Sequence, residues 1–177
     1  MGNTVIMDKN AIRRTVIRLS HEVLEGNFSL DDVVLVGIKR RGEMVAMRIQ
    51  KYLAQQSGQE IPCAGIDIRT FRDDVNTAQL PTPSEILPFD VTGKVVILCD
   101  DVLHTGRSVR AAIEGLFTIG RPQGVRLLVL ADRGGREVPV RADFVGKNIP
   151  AAKGEHIQFD MEELGAAEDR VYITKLG

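Results

Sequence analysis

Lys94-Val-Val-Ile-Leu-Cys-Asp-Asp-Val-Leu-His-Thr-Gly-Arg-Ser-Val-Arg-Ala-Ala-Ile113 is the stretch that decides the fold. Residues 94–99 form a short apolar run with β-branched residues, preceded by Thr92-Gly93, as a fully buried strand requires. Asp100 and Asp101 are expected to end that strand with two carboxylates. Val109, Ala112, Ile113 and Leu116 recur at helical spacing, so a helix should be running by Arg107 or Ser108. Between strand and helix lie Leu103, His104, Thr105, Gly106, Arg107 and Ser108. Backbone N–H groups at a helix start have no helical partner, and the helix dipole favours an anion there. Thr105 and Ser108 can add hydroxyl donors, Arg107 adds charge, and Gly106 allows a tight turn. Two carboxylates beside such a cradle would repel the anion itself. They make sense facing sugar hydroxyls, Mg²⁺ or a developing positive charge on the same ligand, and a sugar phosphate presents all three. No G-x-x-x-x-G-K-[ST] follows a strand and no G-x-G-x-x-G occurs, so the nucleoside-triphosphate and dinucleotide loops are excluded.

A second site of the same kind lies upstream. Residues 33–38 are apolar throughout and read as a central strand. Lys39, Arg40, Arg41 and Gly42 follow, then a helix to about residue 55 carrying Met44, Val45, Met47, Ile49 and Leu53. Three cations before a helix N-terminus suit an anion of several charges. Residues 61–68 and 125–131 read as further strands. Alternation of strand and helix from Val33 to Ala131 argues for βαβ units and a mostly parallel sheet with right-handed crossovers, which puts both anion loops at carboxyl ends of strands.

The flanks are less patterned. Residues 4–7 suggest an edge strand, and Asp8 should cap a helix over about residues 9–25 with Ile12, Val16, Leu19, Val23 and Leu24 as its apolar stripe. Arg13, Arg14, Arg18 and His21 lie on its polar face. Residues 69–92, with Phe71-Arg-Asp-Asp74 and Pro81, Pro83 and Pro88, are the longest stretch without periodicity, and loops of that length are commonly functional. Residues 154–160 and 171–176 read as closing strands.

Composition bounds the rest. A chain of 177 residues with 44% hydrophobic and 27% charged residues is expected to form one soluble domain. No apolar run approaches a membrane span, and the N-terminus lacks a secretory pattern, so a cytoplasmic protein is expected. Two cysteines, Cys63 and Cys99, make neither a disulfide framework nor a zinc site. A net charge of −1 and 5% aromatic residues leave any RNA binding to a local patch.

The central stretch resembles the phosphoribosyl-pyrophosphate (PRPP) motif of the type I phosphoribosyltransferases, most closely the PyrR type of pyrimidine-operon attenuation regulator and uracil phosphoribosyltransferase. Ala11-Ile-Arg-Arg14, Leu35-Val-Gly-Ile-Lys-Arg-Arg-Gly42, Phe71-Arg-Asp-Asp74 and Asp132-Arg-Gly-Gly-Arg-Glu-Val-Pro-Val-Arg-Ala-Asp-Phe-Val-Gly-Lys-Asn-Ile-Pro150 extend the resemblance over nearly the whole chain. It implies an α/β, type I phosphoribosyltransferase fold: a central mostly parallel sheet flanked by helices, in a single domain over residues 1–177. Residues 69–92 would be a mobile hood and residues 132–160 the base pocket. It implies the reaction uracil + PRPP → UMP + pyrophosphate, with Mg²⁺ accompanying PRPP.

By the same resemblance Lys39, Arg40, Arg41 and Arg72 would face the pyrophosphate. Val102, Leu103, His104, Thr105, Gly106, Arg107 and Ser108 would hold the nucleotide, with the 5′-phosphate on the last four. Asp100 and Asp101 would hold the ribose hydroxyls and offset the incipient cation; Asp100 and Asp101 could also meet Mg²⁺, and either Asp101 or water could take the uracil proton. Arg133 would approach an exocyclic oxygen of uracil, Phe144 would pack on the ring, backbone near Val145 would read its edge, and Ile157 would border the pocket. UMP or UTP would act as regulatory ligand, pyrimidine-operon leader RNA as partner, and the protein would be a homodimer or higher homo-oligomer. Arg14, Arg18, His21 and Lys153 are the candidate RNA contacts.

The chain departs from the PyrR pattern at several positions. His104 stands for a tyrosine, Cys99 for an aliphatic residue, Phe71 for a tyrosine and Gly135 for a histidine. On the RNA side His21 is kept, but Ile17 stands where a hydroxyl residue and Gly26 where a basic residue is expected. Two other readings stay open: a nucleotide-sensing RNA-binding attenuator with little catalysis, and a phosphoribosyltransferase for another base.

Overall fold

The computed structural model describes residues 3–73, 86–152 and 154–175. Among them five strands form a wholly parallel sheet: β2 (Val33–Ile38), β3 (Cys63–Ile66), β4 (Val95–Leu103), β5 (Gly124–Asp132) and β6 (Phe144–Asn148), in the order β3-β2-β4-β5-β6. Side chains alternate between faces along a strand, and here both faces are buried. Val33, Leu35, Val95, Ile97 and Cys99 join one apolar cluster, whereas Val34, Val36, Val96 and Leu98 join the other. That is why β2 and the first part of β4 read as unbroken apolar runs.

Helices cover the two faces. α1 (Lys9–Leu24) and α2 (Arg41–Ser57) bring Ile12, Val16, Leu19, Val45, Ile49 and Leu53 to the first cluster. α3 (Arg107–Ile119) brings Val109, Ala112 and Leu116 to the second. The crossover through α2 runs from β2 to β3, and that through α3 runs the opposite way, from β4 to β5. With a common right hand, their helices fall on opposite faces. The Asp8 carboxylate accepts from the Ala11 N–H at 2.7 Å, capping α1 as its sequence position suggests.

A second sheet is antiparallel, in the order β1-β8-β7: β1 (Thr4–Met7), β7 (Glu155–Asp160) and β8 (Arg170–Lys175). Met7, Phe159, Met161 and Val171 fuse it to the α1/α2 core. Arg48 of α2 ties it down by meeting Glu163 and Asp169.

Three expectations need correction. The strand β4 does not end at Cys99. It runs on through Asp100 to Leu103, paired with β5 as far as Leu103↔Asp132, because β5 and its ladder extend beyond the apolar run. The strand expected over residues 61–68 shrinks to four residues, bounded by Pro62 and by the turn at Arg69–Phe71. Residues 144–148, for which no strand was expected, form the edge strand β6. Of the stretch 69–92, Phe71, Ile86, Leu87 and Val91 are buried in the core, so both of its ends are anchored. Asp74, Pro81, Pro83, Lys153 and Leu176 lie outside the described residues.

Candidate active site

Strand order reverses between β2 and β4. From β2 the chain moves outward to β3; from β4 it moves the other way to β5 and β6. In open α/β sheets ligands bind at such a switch point, beyond the strands' carboxyl ends. β2 and β4 are hydrogen-bonded neighbours, with Val36↔Leu98 and Gly37↔Cys99 in register. β2 ends at Ile38 whereas β4 runs on to Leu103, so residues 39–42 leave the sheet beside Asp100 and Asp101, and residues 104–108 leave the same carboxyl edge further along β4.

The first loop passes through a cis Lys39–Arg40 peptide into α2. No side chain caps this helix start among the described residues, which leaves its first N–H groups for a ligand or water. The Lys39 N–H is held by the Ile66 carbonyl at 3.0 Å. The Arg41 guanidinium stands 3.9 Å from the Asp101 carboxylate, linking the basic loop to the acidic pair.

The acidic pair lies within the C-terminal half of β4. Asp100 is 8% exposed, and its Oδ1 accepts from the Asp101 N–H at 3.0 Å. Burial, then the neighbouring Asp101 carboxylate, push the Asp100 carboxyl well above the usual range. A cationic centre arriving beside it would favour the ionised form again.

The second loop turns at Gly106, whose φ of +87° suits glycine, and enters α3 at Arg107. Thr105 Oγ1 accepts from the Arg107 N–H at 3.3 Å, which leaves the hydroxyl proton for an acceptor. Arg107 is held by two carboxylates: Nε donates to Glu137 at 2.6 Å, and Nη1 meets Asp73 at the start of the long loop. Arg72 and Asp73 line a hollow of about 240 Å³ together with Arg107 and Ser108. Val102 is half-buried, whereas the Leu103 side chain is in the core and its carbonyl accepts from the Arg133 N–H at 2.9 Å.

Residues 132–140 are stitched to this loop, an arrangement that spacing did not reveal. The Glu137 and Val138 N–H groups donate to the Thr105 carbonyl at 2.9 and 3.1 Å. Arg136 donates to the His104 carbonyl at 2.9 Å, to the Val140 carbonyl at 3.0 Å and to Asp132 at 2.5 Å. Burial would raise the Asp132 carboxyl, yet Arg136 and the Gly134 N–H hold it below the usual range. Arg133 reaches His104 on one side and the Glu155 carbonyl, at 2.7 Å, on the other. Phe144 and Ile157 are half-buried and pack against the first apolar cluster. Asp132 and Arg136 stand four apart in a stretch without helical pattern, and that pairing is the one sequence signal of this network.

The candidate RNA contacts are partly engaged elsewhere. Arg18 pairs with Glu22 and donates to the Val145 carbonyl at 3.3 Å and to that of Gly146. It thereby engages the Val145 and Gly146 carbonyls of the edge strand β6, beside the backbone near Val145 that is expected to read a base. Arg14 and Arg18 line a surface hollow with Lys147, and His21 is exposed in the last turn of α1. Neither cysteine is activated: burial, then Glu43, push the Cys63 thiol up to about 11, and burial pushes the Cys99 thiol well above its ordinary value.

No group of three or more His, Cys, Asp or Glu side chains that could hold a metal occurs among the described residues. The adjacent carboxylates of Asp100 and Asp101 fit the other mode of Mg²⁺ binding, in which one or two carboxylates share the ion with substrate phosphates. No helix is long and apolar enough to cross a membrane among the described residues.

Comparison with known proteins agrees with this geometry. Residues 3–164 match the phosphoribosyl transferase domain family. The chain is 44% identical to the bifunctional protein PyrR of Listeria welshimeri, over 97% of this chain and 96% of the relative. It is 48% identical to that of Bacillus cereus, over 96% of each. It is 49% identical to the pyrimidine operon regulatory protein of Lactococcus lactis, over 92% of each. Among solved structures, hypoxanthine phosphoribosyltransferase of Trypanosoma cruzi superposes with a TM-score of 0.71 at 16% identity, covering 98% of this chain and 97% of that one. The Staphylococcus aureus enzyme gives 0.68 at 20% identity, covering 98% and 92%. At such identities the superpositions speak for the fold and not for the base. The chain is a member of the phosphoribosyltransferase family and, within it, of the PyrR proteins.

Proposed function

We propose that the protein transfers the phosphoribosyl group of PRPP to uracil, forming UMP and pyrophosphate. The observation that carries this reading is the pairing of two anion loops at the β2/β4 switch point with the Asp100–Asp101 pair beside them. Lys39, Arg40 and Arg41, with Arg72 from the long loop, stabilise the charge that builds on the leaving diphosphate. Thr105, Gly106, Arg107 and Ser108 hold the 5′-phosphate. Asp100 and Asp101 hold the ribose hydroxyls and offset the positive charge that develops as the bond from ribose C1 to pyrophosphate breaks. Asp101 or water takes the uracil proton. Arg133, Phe144, the backbone near Val145, and Ile157 form the base pocket. When bound with PRPP, Mg²⁺ supplies charge neutralisation on the phosphates. No covalent intermediate is needed, since positioning and electrostatics carry the rate.

Uracil is favoured over other bases by the pyrimidine-operon names of the relatives. The test is pyrophosphate release with PRPP and Mg²⁺, with uracil, hypoxanthine and orotate offered in parallel. Release with uracil alone, forming UMP and abolished by EDTA, is expected. Release with hypoxanthine or orotate instead would overturn the assignment of the base.

A second activity, UMP-dependent binding of pyrimidine-operon leader RNA, is favoured by the hollow that Arg14 and Arg18 form with Lys147. Against tight binding stand the net charge of −1, the engagement of Arg18 by Glu22, and Ile17 and Gly26. We therefore read RNA binding as weak and strongly salt-dependent. A gel shift showing tight, UMP-dependent retention of the leader would reverse that. The assembly is read as a homodimer or higher oligomer, which sedimentation measures.

A further inference from the structure

We propose that His104 is a positioning residue that fixes the Arg133 guanidinium for recognition of the base, so that the phosphate loop itself helps set base affinity. The proposal rests on the base pocket described above. Arg133 follows β5, and its guanidinium spans two elements. Nη1 meets His104 Nε2 in the phosphate loop, and Nη2 donates to the Glu155 carbonyl at 2.7 Å at the start of β7. Nε is enclosed and has no partner. Among the described residues His104 is therefore the only side chain that meets this guanidinium; its other partners are the main-chain carbonyls of Ala152 and Glu155.

The ring is held where it can do this by Gly135. A β-carbon there would stand 3.2 Å from both Cδ2 and Nε2 of His104, and the glycine φ of +79° disfavours any side chain. A side chain at 135 would crowd an imidazole at this place, and one of the two would have to shift. The two departures from the PyrR pattern, histidine at 104 and glycine at 135, thus meet in one contact and form a single exchange.

An imidazole that accepts from a guanidinium must be neutral, with its proton on Nδ1. The groups facing it agree. Partial burial and the Arg133 cation hold its pKa below the ordinary value, His156 of β7 and Arg136 act in the same direction, and Glu137 opposes. Protonation would remove the acceptor and set an imidazolium against the guanidinium.

The test combines kinetics with NMR on the full chain. His104→Phe removes the acceptor and is expected to raise KM for uracil about tenfold or more, as loss of a hydrogen bond to a charged group does, with KM for PRPP changed far less. His104→Gln keeps an acceptor that does not titrate and is expected to restore most of the uracil KM. In the wild type KM for uracil should rise as pH falls below the ordinary imidazole range and His104 takes up its proton, and in His104→Gln that rise should vanish. Long-range ¹H–¹⁵N spectra should show the Nδ1–H tautomer in the protein without ligand. An unchanged uracil KM in His104→Phe, or a pH profile shared by wild type and His104→Gln, overturns the proposal. Wild-type turnover of a base other than uracil would instead refute the reading of the pocket's substrate, and the tautomer measurement stands apart from both.

Discussion

Gly42 of α2 lies against β4 at Cys99 and Asp100: a β-carbon on it would stand 2.5 Å from the Cys99 carbonyl oxygen and 3.3 Å from Asp100 Oδ1. The start of the helix that bears the basic loop is thus seated directly on the acidic pair. Replacing Gly42 by alanine must push α2 away from β4, because the atom it meets is backbone. The expected cost is about 1–3 kcal/mol of stability, as for other overpacked sites. KM for PRPP should rise with it as the two loops separate. Urea unfolding and PRPP titration at saturating uracil measure both; an unchanged midpoint would contradict the contact.

The raised pKa of Asp100 carries a sign. Its carboxyl binds a proton more tightly in the folded state than in the unfolded state, so stability is greatest below the unfolded value of about 3.9 and falls as pH rises through the folded value. Asp100→Asn cannot titrate there. The variant is expected to gain stability on the wild type as pH increases from about 4 towards neutrality. Its turnover should drop roughly 10–100-fold if the carboxylate acts on the ribose. Urea midpoints at a series of pH values decide the first point and pyrophosphate release the second.

Arg107 is paired with Asp73 and Glu137 across exposed surface. A phosphate entering the loop must compete with these carboxylates. Asp73→Asn is therefore expected to lower KM for PRPP by about 2–5-fold at low salt, the range of an exposed ion pair. The gain should fade at high ionic strength, where such pairs are screened. A rise in KM would show instead that Asp73 helps to bind the substrate.

Arg48 joins α2 to the second sheet through Glu163 and Asp169, away from the switch point. Asp169 is largely enclosed. Burial would raise its carboxyl, but hydrogen bonds from Arg48 and the Glu162 N–H hold it below the usual range. Such a group contributes stability above the unfolded pKa, and the contribution is lost as pH falls through the folded value. Arg48→Met is expected to cost about 2 kcal/mol near pH 7, less than for a fully buried pair because solvent reaches its rim. The gap to wild type should close as pH falls through the lowered folded-state values of Asp169 and Glu163. Thermal unfolding reads this, and kcat for PRPP and uracil should stay as in the wild type.

The chain's own order determined much of this protein. The apolar runs of β2, β4 and β5 are legible because both faces of a parallel sheet are buried, which demands continuous hydrophobicity. The helix stripes and the Asp8 cap are legible because the interactions that make them are local. The two anion loops could be read from residue types next to strand ends. Tertiary structure decided the rest. β4 outruns its apolar stretch because its partner β5 continues, and pairing between strands, not composition, sets a strand's length. The Val145 carbonyl accepts from Arg18, 127 residues earlier in the chain, a contact that no sequence period marks. Arg133, Arg136 and Glu137 are bound to the phosphate loop by contacts that cross about 30 residues of sequence and follow no period. Such contacts depend on where the sheet's twist and the crossovers deliver each loop, and a one-dimensional pattern holds no record of that.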